Sequence, residues 1–104
     1  MSEGRRTDER RRYPRTPVSW PARLWVDEST IIGHTVDVSP YGLCVLTAPT
    51  AAVKVGHAYR VEVVAGMADP FTVVGEVRHV RDRSVGMETR EPLPVSWSAL
   101  AQGR

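Results

Sequence analysis

The chain has 104 residues, 41% of them hydrophobic and 25% charged, with a formal net charge of +2. That length suits one compact domain, and no apolar run approaches the roughly 20 residues that a membrane-spanning helix needs. Cys44 is the only cysteine, which excludes a disulfide framework and predicts a cytoplasmic setting.

The charge is unevenly placed. Residues 1–15 hold six Arg against Glu3, Asp8 and Glu9, a balance of +3, whereas residues 16–104 hold eight Lys or Arg against nine acids, a balance of −1. The excess positive charge therefore lies in an N-terminal arm. The body has none of the basic surface expected of a fold that tracks a nucleic-acid backbone. The start, MSEGRRTDERRR, has no apolar stretch of the kind a secretory signal requires. Residues 1–10 are polar and mostly charged, so they are expected to be disordered in the free protein. Within residues 9–15, ERRRYPR, four arginines fall in seven residues. Pro14, Pro17 and Pro21 disfavour a long helix over 11–22.

From Val18 the pattern becomes that of a strand. Val18, Trp20, Ala22, Leu24 and Val26 are apolar at period 2. Residues 27–30, DEST, predict a turn, and Ile31 to Val38 a second strand. SPYG then punctuates the chain before a short third strand, Leu43 to Thr47. Residues 48–56 form a connection ending at Gly56. Residues 57–65 alternate again, with Ala58, Val61, Val63 and Ala65 as the apolar set. GMADP predicts a turn. Residues 71–80 predict a long fifth strand, with Gly75 marking a bulge or bend. RDRS turns the chain into a last strand, VGMET. The stretch PLPVSWSALAQGR, residues 92–104, begins with prolines and is expected to hold a short helix over roughly 96–102. Six strands without crossover helices predict an all-β, six-stranded antiparallel barrel. The expected division is a tail over 1–8, a domain over 9–92 and a C-terminal segment over 93–104.

Chemistry-bearing groups are sparse. His34, His57 and His79 are far apart in sequence and form no metal-ligand motif. Cys44, within LCVL, reads as a small buried hydrophobe rather than a nucleophile. No acid–base pair or nucleophile constellation points to an enzyme. The stretch DVSPYG, residues 37–42, has the chemistry of a β-turn. Asp and Ser bond nearby backbone, Pro40 presets φ, and Gly42 tolerates positive φ. A second reading of the same residues has Asp37 and Ser39 presenting polar groups to a ligand that Gly42 lets approach.

Two spacings stand in order along the chain. R-x-x-x-R (Arg11 and Arg15) precedes the first strand, and D-x-S-x-x-G (Asp37, Ser39 and Gly42) follows after 21 intervening residues. In a small all-β chain this arrangement resembles the PilZ domain, over about residues 9–92. GEVRHV followed by SVGMET also looks like the usual ending of that family. The resemblance implies a barrel without catalytic activity that binds the bacterial second messenger cyclic di-GMP, with no metal or other cofactor. It implies that Arg11 and Arg15 contact phosphates and guanines, that Asp37 and Ser39 bond guanine edges, and that Gly42 holds the turn. Arg10 occupies a position that bears on stoichiometry in the family, and an arginine there is compatible with a stacked pair of ligand molecules.

The chemistry of the ligand agrees with this reading. Guanidinium groups fork onto phosphate, donate to guanine O6 and N7, and stack on purine faces. A carboxylate such as Asp37 accepts from guanine N1–H and N2–H₂, which adenine does not offer. An arm that orders on its ligand loses entropy, so binding should be moderate and salt-sensitive. Many PilZ domains carry an aromatic residue, often Trp, near the end of the G-x-V strand. Here the corresponding place holds Arg78-His79, so His79 is either a weaker stacking platform or an ordinary strand-surface residue. Trp20 and Trp97 read as packing residues. Trp25 falls out of the apolar phase of its strand and is expected outside the barrel, at a partner surface. Arg12 is expected to be solvated, and Tyr13 either packs the arm or is half exposed. The expected function is a cytoplasmic receptor that passes the cyclic di-GMP signal to a protein partner in trans. The alternative is a PilZ adaptor that acts by protein contact and binds no nucleotide.

Overall fold

The computed structural model describes residues 14–48, 51–66, 69–97 and 100. Six strands are present: β1 (Thr16–Val26), β2 (Ser29–Ser39), β3 (Gly42–Thr47), β4 (Ala58–Val63), β5 (Phe71–Arg81) and β6 (Ser84–Thr89). They close in the order β1-β2-β3-β6-β5-β4, and all neighbours are antiparallel. Closure leaves no open sheet edge.

Alternation along each strand fills the inside. Leu24, Val38, Leu43, Val45, Val61, Val63, Val77 and Val85 are at most 1% exposed. Two plugs come from the connections: Val53, between β3 and β4, and Leu93, after β6, are both buried. Trp20 and Trp97 pack against this core, as the pattern predicts. Ala58 does not, because Tyr59, Val61 and Val63 hold the inward phase of β4 and leave Ala58 exposed.

The hairpin turns are tight. β1 and β2 are joined by Asp27–Glu28, and β5 and β6 by Asp82–Arg83, so the turns are shorter than DEST and RDRS. Asp27 (φ 57°) and Asp82 (φ 56°) lie in the left-handed region, which Asp tolerates through its local hydrogen bonding. Gly56, with φ 91°, ends the long connection where the sequence places it.

Gly75 is not the bulge of β5. Its register with β4 and β6 is regular, and a Cβ there would lie 3.1 Å from Met87 Cβ, so glycine makes room for the methionine. The irregularity falls three residues later, between Val77 and His79. Of the expected basic arm over residues 1–15, residues 1–13 lie outside the described residues. Of the expected C-terminal helix, the described part shows the Leu100 N–H donating to the Ser96 carbonyl at 3.1 Å.

Candidate functional site

The site begins with register. Thr16 pairs with Val38 and Pro17 with Asp37, so Arg15 stands across from Ser39, one step beyond the last pair. The Arg15 Nε–H donates to Asp37 Oδ1 at 2.9 Å, an ion pair whose side chains are 26% and 31% exposed. Ser39 pairs with Gly42 across a two-residue turn, Pro40–Tyr41. A Cβ on Gly42 would lie 3.1 Å from the Met87 carbonyl oxygen, 3.3 Å from Ser39 Oγ and 3.6 Å from Arg15 Nη1. The guanidinium therefore lies close over the Ser39–Gly42 pair. Arg15, Asp37, Ser39 and Gly42, named from the sequence, are neighbours in space. Arg10 and Arg11 lie outside the described residues.

A β-bulge turns Asp37 outward, while Ser39 beside it is buried. Thr35 pairs with Val45, yet Asp37 pairs with Cys44, so β2 carries one residue more than β3 at this point. Strict alternation would put Asp37 on the same face as Thr35, which is fully buried. The extra residue reverses the phase: Thr35 and Val38 both point inward, and Asp37 faces out.

A second bulge acts at the other side of the same row. Asp37, Cys44, Gly86 and His79 are register partners across β2, β3, β6 and β5. At the His79 end, β5 carries the extra residue, and both Arg78 and His79 are exposed. Below them the adjacent row, Val38, Leu43, Met87 and Val77, is core. The result is a row of small residues, Cys44 and Gly86, with the Arg–Asp pair at one end and an imidazole over the glycine at the other. A Cβ at Gly86 would overlap the His79 ring, so that ring lies flat against the glycine. Cys44 is half-buried in this row, with its Sγ 3.1 Å from Ser84 Oγ, rather than in the core as its apolar neighbours imply. Sequence reading missed Cys44 and Gly86 as neighbours in this row; only the pairing of β3 with β6 brings them together.

The turn is braced from behind. The Thr89 N–H donates to the Tyr41 carbonyl at 2.9 Å, and the Leu93 N–H to the Pro40 carbonyl at 2.8 Å. Buried Leu93 anchors that brace in the core. Beside the row of Cys44 and Gly86, Glu76 and Glu88 stand directly opposite each other, and Arg78 lies between them. Its Nε–H donates to Glu88 Oε1 at 2.7 Å, and Nη1 is 3.9 Å from Glu76 Oε2. The hydrogen bond to Glu88, then the charges of Glu88 and Glu76, raise the Arg78 pKa above its ordinary value. Among the described residues no group of three or more His, Cys, Asp or Glu is arranged to hold a metal ion. No helix among them is long and apolar enough to cross a membrane.

A family model for the PilZ domain matches residues 9–102. The chain belongs to the PilZ domain family. PilZ domains are binding and adaptor modules rather than enzymes. Several solved structures share the fold, among them the following two. The inhibitor of motility of Bacillus subtilis (MotI/DgrA) superposes with a TM-score of 0.71 at 19% identity, over 88% of this chain and 48% of that one. This PilZ chain thus spans about half the length of that protein. The PilZ domain of YcgR from Escherichia coli, solved with c-di-GMP, gives a TM-score of 0.61 at 22% identity, over 89% and 85% of the two chains. No curated protein matches the sequence.

Proposed function

We propose that this PilZ domain is a receptor for cyclic di-GMP, bound along the outer row between Arg15–Asp37 and His79, and that it signals to a protein partner. The observation that carries the reading is the Arg15–Asp37 pair at 2.9 Å, with the Arg15 guanidinium over Ser39 and Gly42. It brings a guanidinium, a carboxylate and a hydroxyl together beside one braced turn, which supports assigning them to phosphate and guanine contacts. The YcgR domain with c-di-GMP has the same fold, which supports the choice of ligand.

Each residue then has a task. Arg15 bonds a phosphate or a guanine edge through a fork that a lysine cannot form. Asp37 orients Arg15 before the ligand arrives and accepts from guanine N1–H and N2–H₂. Ser39 adds a hydroxyl, and Gly42 lets the ligand approach the turn. Arg11 contributes a second guanidinium and Arg10 supports a second ligand molecule, both from the arm. The charge-assisted contacts are partly exposed, so affinity falls as ionic strength rises.

Calorimetric titration with cyclic di-GMP tests the reading, with GTP and cyclic di-AMP as controls. Saturable binding of cyclic di-GMP alone is expected, weakened about 10- to 100-fold by Arg15→Ala, the effect of losing one or two charge-assisted bonds. Equal binding by Arg15→Ala would refute the site. No binding by the parent protein would favour the adaptor reading.

A further inference from the structure

A second surface lies about 30 Å of strand away from Arg15, taking ten residues of β1 at 3.3 Å each. Leu24 and Val26 point into the core, so Trp25 between them faces outward. It is half-buried there because two guanidinium groups cover it. Arg23 Cζ lies 5.6 Å and Arg60 Cζ 5.0 Å from the indole ring. Arg60 is the direct β4 partner of Trp25, and Val74, 59% exposed, is the direct β5 partner of Arg60. One step past the Gly75–Thr89 pair stands Arg90, which lines the same groove as Val74. Trp25, Arg60, Val74 and Arg90 thus form one row across β1, β4 and β5 to the residue that follows β6.

The charges in this row are unequally satisfied. Arg23 has Glu62 at 3.8 Å. Among the described residues, Arg60 and Arg90 have no carboxylate within 4 Å. The adjoining groove, about 760 Å³, is also lined by Glu76 and Glu88, which Arg78 occupies, and by Glu91, which does not pair with Arg90. Stacking on Trp25 holds the Arg60 guanidinium in place without neutralising it. Trp and Arg are the residue types that most often carry interface energy. A row of indole, fixed cation, exposed valine and second cation is complementary to an anionic segment with an apolar residue between its charges.

We propose that this face docks an extended acidic segment of a partner protein. Its carboxylates engage Arg60 and Arg90, an apolar side chain between them covers Val74, and Trp25 backs the Arg60 guanidinium from the other side. The spacing suits a polyproline II segment. Arg60 and Arg90 stand two strand spacings apart, about 9.6 Å. In polyproline II, residues i and i+3 lie on one side about 9.3 Å apart. Two arginines without a carboxylate partner among the described residues, with Glu91 unpaired beside them, are too few for a run of phosphodiesters, whose capture needs a longer basic track. The inference does not rest on the nucleotide reading, because its residues are not those of that site.

The test is an NMR titration of the ¹⁵N-labelled full chain with acetyl-Glu-Pro-Leu-Glu-Pro-Leu-Glu-amide. Controls are the same peptide with Gln in place of Glu, and oligo-dT. The expected result is saturable shifts at the Trp25 indole N–H and around Arg60, Val74 and Arg90. The Gln peptide and the exposed-site variant Arg60→Glu should each bind at least about 10-fold more weakly, while Arg15→Ala binds like the parent. The proposal is overturned by equal binding of the Gln peptide, by indifference to Arg60→Glu, by oligo-dT moving these resonances in place of the peptide, or by no saturable shift at millimolar peptide.

Discussion

Arg15 and Asp37 form a hydrogen-bonded ion pair that water still reaches, with side chains 26% and 31% exposed. Such pairs contribute roughly 0–1 kcal/mol to stability. The value of this one lies in aiming a guanidinium, so Asp37→Ala should change the unfolding free energy measured in urea by less than about 1 kcal/mol while weakening nucleotide binding. That separation keeps a binding defect from being mistaken for unfolding. Thr35 presents the opposite case. Its hydroxyl is fully buried and has no hydrogen-bond partner among the described residues. Valine has nearly the same shape and no polar group to strand. Thr35→Val is therefore expected to stabilise the protein by about 1 kcal/mol in urea denaturation. A loss of stability would show that the hydroxyl finds a partner in solution.

Two glycines in strands separate backbone contact from side-chain contact. A Cβ at Gly33 in β2 would overlap the Leu46 carbonyl oxygen and lie 2.9 Å from Val45 Cγ1, so β3 itself must move. Gly33→Ala should cost about 1–3 kcal/mol, as overpacking does. At Gly86 in β6 the obstacle is the imidazole of exposed His79, the free end of a side chain. Gly86→Ala should cost less than about 1 kcal/mol, yet it removes the seat of the ring. Urea midpoints check the energies, and the His79 imidazole proton shifts check the displacement. The strands themselves were legible. Val18 to Val26 alternate at period 2, residues 71–80 read as one long strand, and turn residues stand between the runs. The bulges in β2 and β5 were not. No residue near Val36 or Arg78 signals an extra position, because a bulge is settled by pairing with the neighbouring strand. Gly75, the visible candidate, owes its identity to Met87 instead.

For the whole molecule, closure is the costly event. Pairing β1 with β4 and β3 with β6 joins segments distant in sequence. The chain must lose loop entropy before those contacts form. Refolding is accordingly expected on the millisecond-to-second scale, in one cooperative transition, as followed by tryptophan fluorescence after denaturant dilution. A refolding phase of tens of microseconds would mean that closure is not limiting. The same closure joins the two halves of the site. β2 brings Asp37 and β5 brings His79, and the four-strand row between them exists only once β3 has met β6.

From its residues alone the chain determined six strands, the valine core and the two motifs that resemble the PilZ pattern. These depend on local alternation and on short spacings, which the sequence carries directly. Tertiary structure alone decided that Asp37 faces outward, that Cys44 lies half-buried in a row with Gly86, and that Trp25 lies beneath two arginines in register with Val74. Each of these depends on which strand lies beside which, and on where one strand takes an extra residue. The free energy of those choices is shared between segments far apart along the chain, so no single stretch of sequence displays it.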